Sequence, residues 1–181
     1  TGPKVVKAVT HEDVTTEALG GAAMQASRSG VSDYAATSGA DAIEYVKKLL
    51  SFLPQNNMEN PPLVPCDDPR NRESIELNSI LPENTNAAYD MKEVILQTVD
   101  NRDFLEVKAE FAPNLLVGFA RYNGMSVGIV ANQPAHLSGV LDIDSSVKGA
   151  RFVRFCDCFN IPVVTFVDVP GFMPGTAQEY G

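Results

Sequence analysis

A glycine-containing loop near the end of the chain can present backbone N–H groups to a ligand. Positions 169–177 read Val-Pro-Gly-Phe-Met-Pro-Gly-Thr-Ala and follow a β-branched run directly. Because α/β proteins bind ligands beyond the carboxyl ends of parallel strands, and because glycine lets a backbone approach another group closely, this loop is a candidate site. A plain Pro-Gly turn that ends a strand explains the same residues. The local sequence leaves both interpretations open.

Other residues that could bind a ligand or take part in catalysis give weaker evidence of a site. Gly20 and Gly21, followed by Ala22, can let a backbone approach a ligand, or can simply end a helix. His11 and His136 have no Ser, Cys or carboxylate partner at a spacing that suggests acid–base work, so we interpret them as loop residues. No His- or Cys-based catalytic centre is predicted.

Composition narrows the class of protein. The 181 residues are 44% hydrophobic and 20% charged, which is typical of a folded globular chain. A formal charge of -9 without any basic run argues against nucleic acid or an anionic membrane as partner. The sequence contains no apolar run of about 20 residues, so no membrane insertion is expected. Its three cysteines, Cys66, Cys156 and Cys158, form neither a CxxC pair nor a zinc-binding pattern, and we expect packing roles and no metal.

The first 54 residues are predicted to be mainly helical. The clearest helix covers 40–53, ends just before a proline, and carries apolar residues three and four positions apart. These are Ile43, Val46, Leu49, Leu50 and Leu53. We expect this face to be buried, so that Ile43→Asp unfolds the N-terminal half.

Residues 54–88 contain six prolines among Asn, Asp and Glu, a composition that cannot hold a sheet or a long helix. We interpret them as a linker that runs over the surface of a domain. Six apolar side chains are expected to anchor it there: Leu63, Val64, Ile75, Leu77, Ile80 and Leu81.

The second half is predicted to form a ββα unit. A short helix begins at Met91, and strands at 115–122 and 125–131 flank the hairpin turn Asn123-Gly124. Asp144 or Ser145 can cap a helix that runs from 146 to about 159 on the stripe Val147, Ala150, Val153, Arg154 and Asp157. The β-branched run 161–167 is typical of a buried parallel strand.

Several long stretches of sequence resemble one family, the acyl-CoA carboxyltransferase subunits of biotin-dependent carboxylases. Within that family they are similar to the propionyl-CoA carboxylase beta and methylmalonyl-CoA carboxyltransferase type. The similar strings are VGIVANQP at 127–134, GVLDIDSSVK at 139–148, ARFVRFCD at 150–157 and FVDVPGFMPGT at 166–176. LGGA at 19–22 and LLSFLP at 49–54 agree with the same family. The resemblance covers essentially the whole chain.

The resemblance implies an α/β crotonase/ClpP-like ββα superhelix. Residues 1–54 would end the N-terminal half, 55–89 would link the halves, and 90–181 would start the C-terminal half. It also implies carboxyl transfer between carboxybiotin and the α-carbon of a short-chain acyl-CoA, without a metal. The implied partners are acyl-CoA, a biotin carboxyl carrier or biotin carboxylase subunit, and further copies of the chain, as dimer pairs or a hexamer. The implied compartment is bacterial or archaeal cytoplasm, or the mitochondrial matrix.

The resemblance also assigns roles to the glycine segments. The N–H groups of Gly171 and Phe172 would stabilise negative charge on an oxygen. Gly175, Thr176 and Ala177 would contact substrate or biotin, and Gly20, Gly21 and Ala22 would approach coenzyme A. The family's two Gly-Gly-Ala oxyanion segments would lie before Thr1 and after Gly181, so this chain alone is expected to be inactive.

Two alternatives stay open. One is the carboxyltransferase subunit of a sodium-pumping methylmalonyl-CoA decarboxylase or of a transcarboxylase, which would differ in its partner subunits. The other is a non-catalytic structural or assembly module.

Overall fold

The N-terminal part of the chain consists of helices with recognisable ends. The computed structural model describes residues 1–84 and 87–180. Pro3 occupies the first turn of the first helix, where the N–H that proline lacks would have no partner within the helix. Thr15 and Ser38 accept capping hydrogen bonds from the N–H groups of Ala18 and Asp41, at 3.0 and 3.1 Å. The helices are α1 (Pro3–Thr10), α2 (Thr16–Gly20), α3 (Ala22–Ser27) and α4 (Gly39–Leu50).

The predicted apolar face of α4 is largely exposed, so the expectation that it is buried is wrong. Ile43, Val46 and Leu50 are 57%, 50% and 60% exposed. The other two residues of that face, Leu49 and Leu53, do pack partly against the core. Tyr45 packs there as well, and Phe52, just after the helix, is fully buried. The spacing predicted the helix correctly, but the covered face is rotated from the one that its aliphatic residues indicated.

The proline-rich segment after α4 follows the surface, with one short helix, α5 (Leu77–Ile80). The predicted apolar anchors are mostly in solvent, including Leu63, Ile75 and Leu81, and this part of the prediction is wrong. Polar contacts hold the segment instead. Arg72 donates to the carbonyls of Gln97 and Val99 at 2.8 and 3.1 Å.

Removing these contacts is expected to loosen the segment. In Arg72→Ala, hydrogen exchange of the amides around 66–76 should become about tenfold faster or more, because hydrogen bonds from a charged donor are lost. Arg70→Ala is the matched control, since Arg70 makes one side-chain contact, to Asn123 at 2.8 Å. Equal acceleration in both variants would show that Arg72 does not anchor the segment.

A four-stranded mixed sheet forms the centre of the second half. Its strands are β1 (Leu105–Val107), β2 (Leu115–Tyr122), β3 (Met125–Asn132) and β4 (Val163–Phe166), in the order β1-β2-β3-β4. The β2–β3 hairpin turns at Asn123-Gly124, as predicted, with positive φ at both residues. The Asp100 carboxylate accepts from both turn N–H groups, at 2.9 and 2.7 Å.

Helices cover the two faces of this sheet. The helix α6 (Met91–Thr98) buries Met91 and Ile95 against β2 and β3. On the other face, α7 (Ile143–Cys158) buries Phe152 and Cys156 in a core that includes Phe52. The layers are therefore helix, sheet, helix.

Two details of α7 and β4 differ from the sequence predictions. Asp142 caps α7 in a reciprocal capping box with Ser145, so the helix begins earlier than the predicted cap at Asp144 or Ser145. Its buried stripe runs through Ser145, Lys148, Phe152 and Cys156, and not through Val147 and Val153. The strand β4 is parallel to β3, as predicted, but it lies at the edge of the sheet and its Val163 is exposed.

Candidate active site

The loop after β4 is held by residues at the carboxyl end of β3. The N–H of Asp168 donates to Asn132 Oδ1 at 3.2 Å. The Tyr89 hydroxyl donates to Asp168 Oδ2 at 2.6 Å. Burial, and then this hydrogen bond, raise the pKa of the Tyr89 phenol, so Tyr89 stays protonated and keeps the carboxylate of Asp168 occupied. Both contacts fix where the loop starts.

A short parallel bridge to Leu141 orients the next residues. The N–H of Leu141 donates to the Gly171 carbonyl at 3.1 Å, and the N–H of Met173 donates to the Leu141 carbonyl at 2.7 Å. Peptide groups alternate in direction along an extended chain, so the N–H of Phe172 points away from Leu141. Within the part of the chain that the structure describes, the N–H groups of Gly171 and Phe172 have no acceptor.

The backbone at Gly171 needs glycine for conformational reasons. Its φ is +145°, in a region that residues with a Cβ rarely adopt, while no atom lies within 4 Å of a Cβ added there. The Phe172 ring is 76% exposed. The predicted donors therefore lie on an accessible surface with open space around them.

The second predicted group, Gly175 to Ala177, lies in the same loop. Gly175, with φ +131°, precedes the four-residue helix α8 (Thr176–Glu179). The N–H groups of Gln178 and Glu179 turn back onto the Gly175 carbonyl, at 2.9 and 3.0 Å. The N–H groups of residues 175–177 have no acceptor among residues 1–84 and 87–180, as expected for a first helical turn.

An open groove of about 470 Å³ runs between this loop and the start of α7. Its walls include Leu141, Val147, Phe172 and Met173. Asp142 also lines it, but that carboxylate caps α7, and although burial acts to raise its pKa, hydrogen bonds from Ser145 and Asn114 lower it. Glu179 adds a second carboxylate to the lining. Of the predicted loop residues, Phe172 lines the groove, whereas Gly171, Gly175, Thr176 and Ala177 do not.

The glycine segment near the N-terminus lies elsewhere. Gly21 separates α2 from α3, where a Cβ would come within 2.7 Å of the Glu17 carbonyl. Gly20, Gly21 and Ala22 do not line the groove. Close packing of two short helices accounts for Gly21 without a ligand.

The expected packing role is confirmed for Cys156 and is wrong for Cys158, which is exposed. Cys156 is fully buried, and burial raises the pKa of its thiol to about 12, so it is no nucleophile at neutral pH. Cys158 is exposed on the opposite side of α7. Among the described residues, no three His, Cys, Asp or Glu side chains are grouped to hold a metal ion.

Sequence reasoning missed Lys148, a buried cation. Its side chain is 1% exposed, and its Nζ donates to the carbonyls of Phe111 and Ala112, at 2.6 and 3.2 Å. A signal was present, because Lys148, Phe152 and Cys156 recur every four residues on one helix face.

Together, the helix–sheet–helix layers and the loop of unpaired backbone donors after a parallel strand define an α/β protein of the crotonase-like carboxyltransferase class. The model of the carboxyl transferase domain family matches residues 1–181, and the chain belongs to this family. The resemblance of its sequence strings is thereby confirmed.

Two relatives illustrate the similarity. The chain is 56% identical to methylmalonyl-CoA decarboxylase subunit alpha of Veillonella parvula, over 100% of this chain and 36% of that protein. It is also 56% identical to propionyl-CoA carboxylase beta chain of Saccharopolyspora erythraea, over 99% of this chain and 34% of that protein. The chain spans about a third of the length of these relatives.

Solved structures agree in fold. The transcarboxylase 12S crystal structure with methylmalonyl-coenzyme A and methylmalonic acid bound superposes with a TM-score of 0.95 at 52% identity, over 99% of this chain and 34% of that one. A single-chain, multi-domain long-chain acyl-CoA carboxylase gives a TM-score of 0.77 at 28% identity, over 99% and 17% of the two chains. No helix in the described part of this chain is long and apolar enough to cross a membrane.

Proposed function

We propose that the protein containing this chain transfers a carboxyl group between carboxybiotin and the α-carbon of a short-chain acyl-CoA, with propionyl-CoA and methylmalonyl-CoA as the pair. The family and the named relatives support this reaction class. The structural observation that carries the proposal is the pair of unpaired N–H groups at Gly171 and Phe172, held beside the groove by the Leu141 bridge.

The chemistry requires donors where negative charge develops. Carboxybiotin on a partner carrier protein would supply the carboxyl group. Cleavage of its N–carboxyl bond would put negative charge on the ureido oxygen, and the biotin anion would take up the proton that leaves the α-carbon of the acyl-CoA. The N–H groups of Gly171 and Phe172 donate to that oxygen, and each preset donor contributes about 3 to 4 kcal/mol to catalysis. Groove residues such as Leu141 and Met173 exclude water around an uncharged ring. Backbone donors and apolar walls fit a ureido ring that is neutral before transfer and gains negative charge on its oxygen during it.

The other glycine segments take supporting roles in this proposal. Gly175, Thr176 and Ala177 offer a second set of N–H groups in the same loop and position biotin or substrate. Gly20 and Gly21, with Ala22, contact coenzyme A. This second role depends on parts of the protein outside the chain, since these residues do not line the groove.

The partners follow from the same proposal. They are acyl-CoA, a biotin carboxyl carrier or biotin carboxylase subunit, and further copies of the chain, paired and assembled as in the transcarboxylase whose structure is described as a hexamer assembly. We place the end of the N-terminal domain at 1–54, a linker at 55–89 and the start of the C-terminal domain at 90–181. The protein would act in bacterial or archaeal cytoplasm, or in the mitochondrial matrix of a eukaryote.

The test is carboxybiotin-dependent carboxylation by the full-length protein. Acetyl-, propionyl- and butyryl-CoA are compared, and propionyl-CoA is expected to give the highest kcat/KM. Transfer to none of the three would contradict the proposal and favour a decarboxylase subunit or a non-catalytic module.

A second candidate function is that of a methylmalonyl-CoA decarboxylase or transcarboxylase subunit, which would differ from a carboxylase in the direction of carboxyl transfer or in its partner subunits. Identity to a methylmalonyl-CoA decarboxylase subunit equals that to a propionyl-CoA carboxylase chain, at 56% each. Copurification distinguishes them. A biotin carboxylase subunit in the complex supports carboxylation, whereas a membrane subunit supports decarboxylation and a second carboxyltransferase subunit supports transcarboxylation.

A further inference from the structure

Asn114 is a buried asparagine that connects the start of β2 to the segment before α7. It directly precedes β2, and its side chain is 1% exposed. Its Nδ2 donates to the Val140 carbonyl at 2.8 Å and to Asp142 Oδ1 at 3.3 Å. A side-chain amide nitrogen carries two N–H bonds, so both donors of Asn114 are used. The two residues that it holds are the neighbours of Leu141.

The contact with Val140 acts directly on the Leu141 bridge. The carbonyl of Val140 and the N–H of Leu141 belong to one peptide group, which is planar, so a hydrogen bond that fixes the carbonyl also fixes the direction of the N–H. That N–H donates to the Gly171 carbonyl at 3.1 Å. Asn114 therefore determines the direction in which the bridge meets the loop.

The same reasoning applies once more on the loop side of the bridge. The carbonyl of Gly171 and the N–H of Phe172 also belong to one planar peptide group, and they point in opposite directions. Because the Leu141 N–H holds the carbonyl, it also orients the N–H of Phe172, one of the two donors that we assign to the reaction. Two peptide groups thus connect Asn114 to this donor.

Asn114 is itself held from two sides. Its own carbonyl accepts from the N–H of Gln133, directly after β3, at 2.9 Å. On the other side, Lys148 Nζ on α7 donates to the carbonyls of Phe111 and Ala112, at 2.6 and 3.2 Å. Residues 111–114 are therefore anchored to both the sheet and α7, which gives the Asn114 amide a fixed position.

A second buried asparagine holds a different part of the loop. Asn132 Nδ2 donates to the Gly139 carbonyl at 3.1 Å, and its Oδ1 accepts from the N–H of Asp168. These contacts lie three residues before Gly171 and two before Leu141. Asn132 therefore sets where the loop starts, whereas Asn114 acts on the peptide groups of the bridge.

We propose that Asn114 is a positioning residue for carboxyl transfer. It orients the peptide group between Val140 and Leu141, and through it the peptide group that carries the Phe172 N–H. The inference rests on the proposed function, because it gives Asn114 a role only through that donor. Asn114 itself contacts neither biotin nor acyl-CoA.

Loss of the Asn114 donors is expected to lower kcat more than it changes KM. Asn114→Asp keeps the shape of the side chain without its N–H groups, and Asn114→Ser, which is too short to reach both partners, serves if the first variant does not fold. In the full-length protein kcat should fall by about tenfold to hundredfold, because a misplaced donor stabilises the transition state less. KM for propionyl-CoA should change by less than about twofold.

Hydrogen exchange examines the bridge without substrate. In the Asn114 variants the amides of Leu141 and Met173 should exchange at least about tenfold faster than in the wild-type protein. Val117→Ala is the matched control for lost stability, because Val117 is 1% exposed on β2 and pairs with Val107 and Val130 across the sheet. It should leave this exchange, and kcat per folded protein, at wild-type values.

Either of two results would overturn the proposal. If Leu141 and Met173 exchanged no faster in the Asn114 variants than in Val117→Ala, the bridge would be held without Asn114. If they exchanged faster while kcat stayed unchanged, the bridge would not position a donor for the reaction. Failure of the proposed function is a separate result, a wild-type protein that transfers no carboxyl group. The exchange comparison then still decides whether Asn114 holds the loop.

Discussion

Gly171→Val is expected to lower kcat for carboxyl transfer by about 10²- to 10³-fold, the effect of losing one preset backbone donor or more. A valine cannot hold the φ of +145° that Gly171 adopts, so the peptide groups on both sides must rotate. That rotation changes the direction in which the N–H groups of Gly171 and Phe172 point. The measurement is kcat in the full-length protein with carboxybiotin and propionyl-CoA.

The same variant should remain folded. No atom lies within 4 Å of the new Cβ, so the cost is backbone strain, of about 1–3 kcal/mol. Ordinary proteins unfold with about 5–15 kcal/mol, and denaturant unfolding should show this modest loss. Val167→Ala is the control, because Val167 is 72% exposed, lies just before the loop and does not line the groove. If Gly171→Val lost activity only in proportion to folded protein, the site assignment would be wrong.

Phe52→Ala is expected to reduce the free energy of unfolding by about 3–5 kcal/mol. Phe52 is 0% exposed, with its ring centroid 5.9 Å from that of Phe119. The guanidinium of Arg121 lies 4.0 Å from the centre of the Phe52 ring and donates to the Ser51 carbonyl at 2.8 Å. Removing the ring leaves a cavity at the junction of α4, α7 and the sheet. Urea or guanidinium unfolding of the full-length protein measures the change.

Ile43→Asp is the matched comparison, and it replaces the expectation that this substitution unfolds the N-terminal half. Ile43 is more than half exposed on α4, so the change should stay within about 0.5 kcal/mol. A larger loss for Ile43→Asp than for Phe52→Ala would show that this face of α4 packs against a part of the protein outside residues 1–181.

Local signals predicted the elements of the second half well. The Asn123-Gly124 turn, with positive φ at both residues, was predictable because few residues other than Asn and Gly adopt that geometry. The parallel strand β4 and the loop that follows it were predictable from a β-branched run bounded by Pro-Gly. The start of α7 was misplaced because Asp142, Asp144 and Ser145 can each cap a helix, and the choice depends on the Leu141 bridge just before it.

In the candidate site, too, some features were predictable from local sequence and others depend on contacts between distant residues. The glycine at 171 marked a position where backbone can approach a ligand, but the turn alternative could not be rejected from the residues alone. The Leu141 bridge uses the Gly171 carbonyl and the Met173 N–H, and leaves the N–H groups of Gly171 and Phe172 unpaired. Which backbone groups are paired depends on a contact between residues 30 positions apart in the chain, so it could not be predicted from local sequence.

The sequence by itself determined the helix and strand types, the hairpin, the order of the ββα unit and, through long matching strings, the family. Tertiary structure alone decided which faces are covered: Phe52 and not Ile43 near α4, and Lys148 in place of Val147 on α7. The physical reason is the distance along the chain over which the deciding interactions act. Turns and caps depend on a few neighbouring residues, whereas burial depends on which distant elements pack there, and that is settled only when the whole chain has folded.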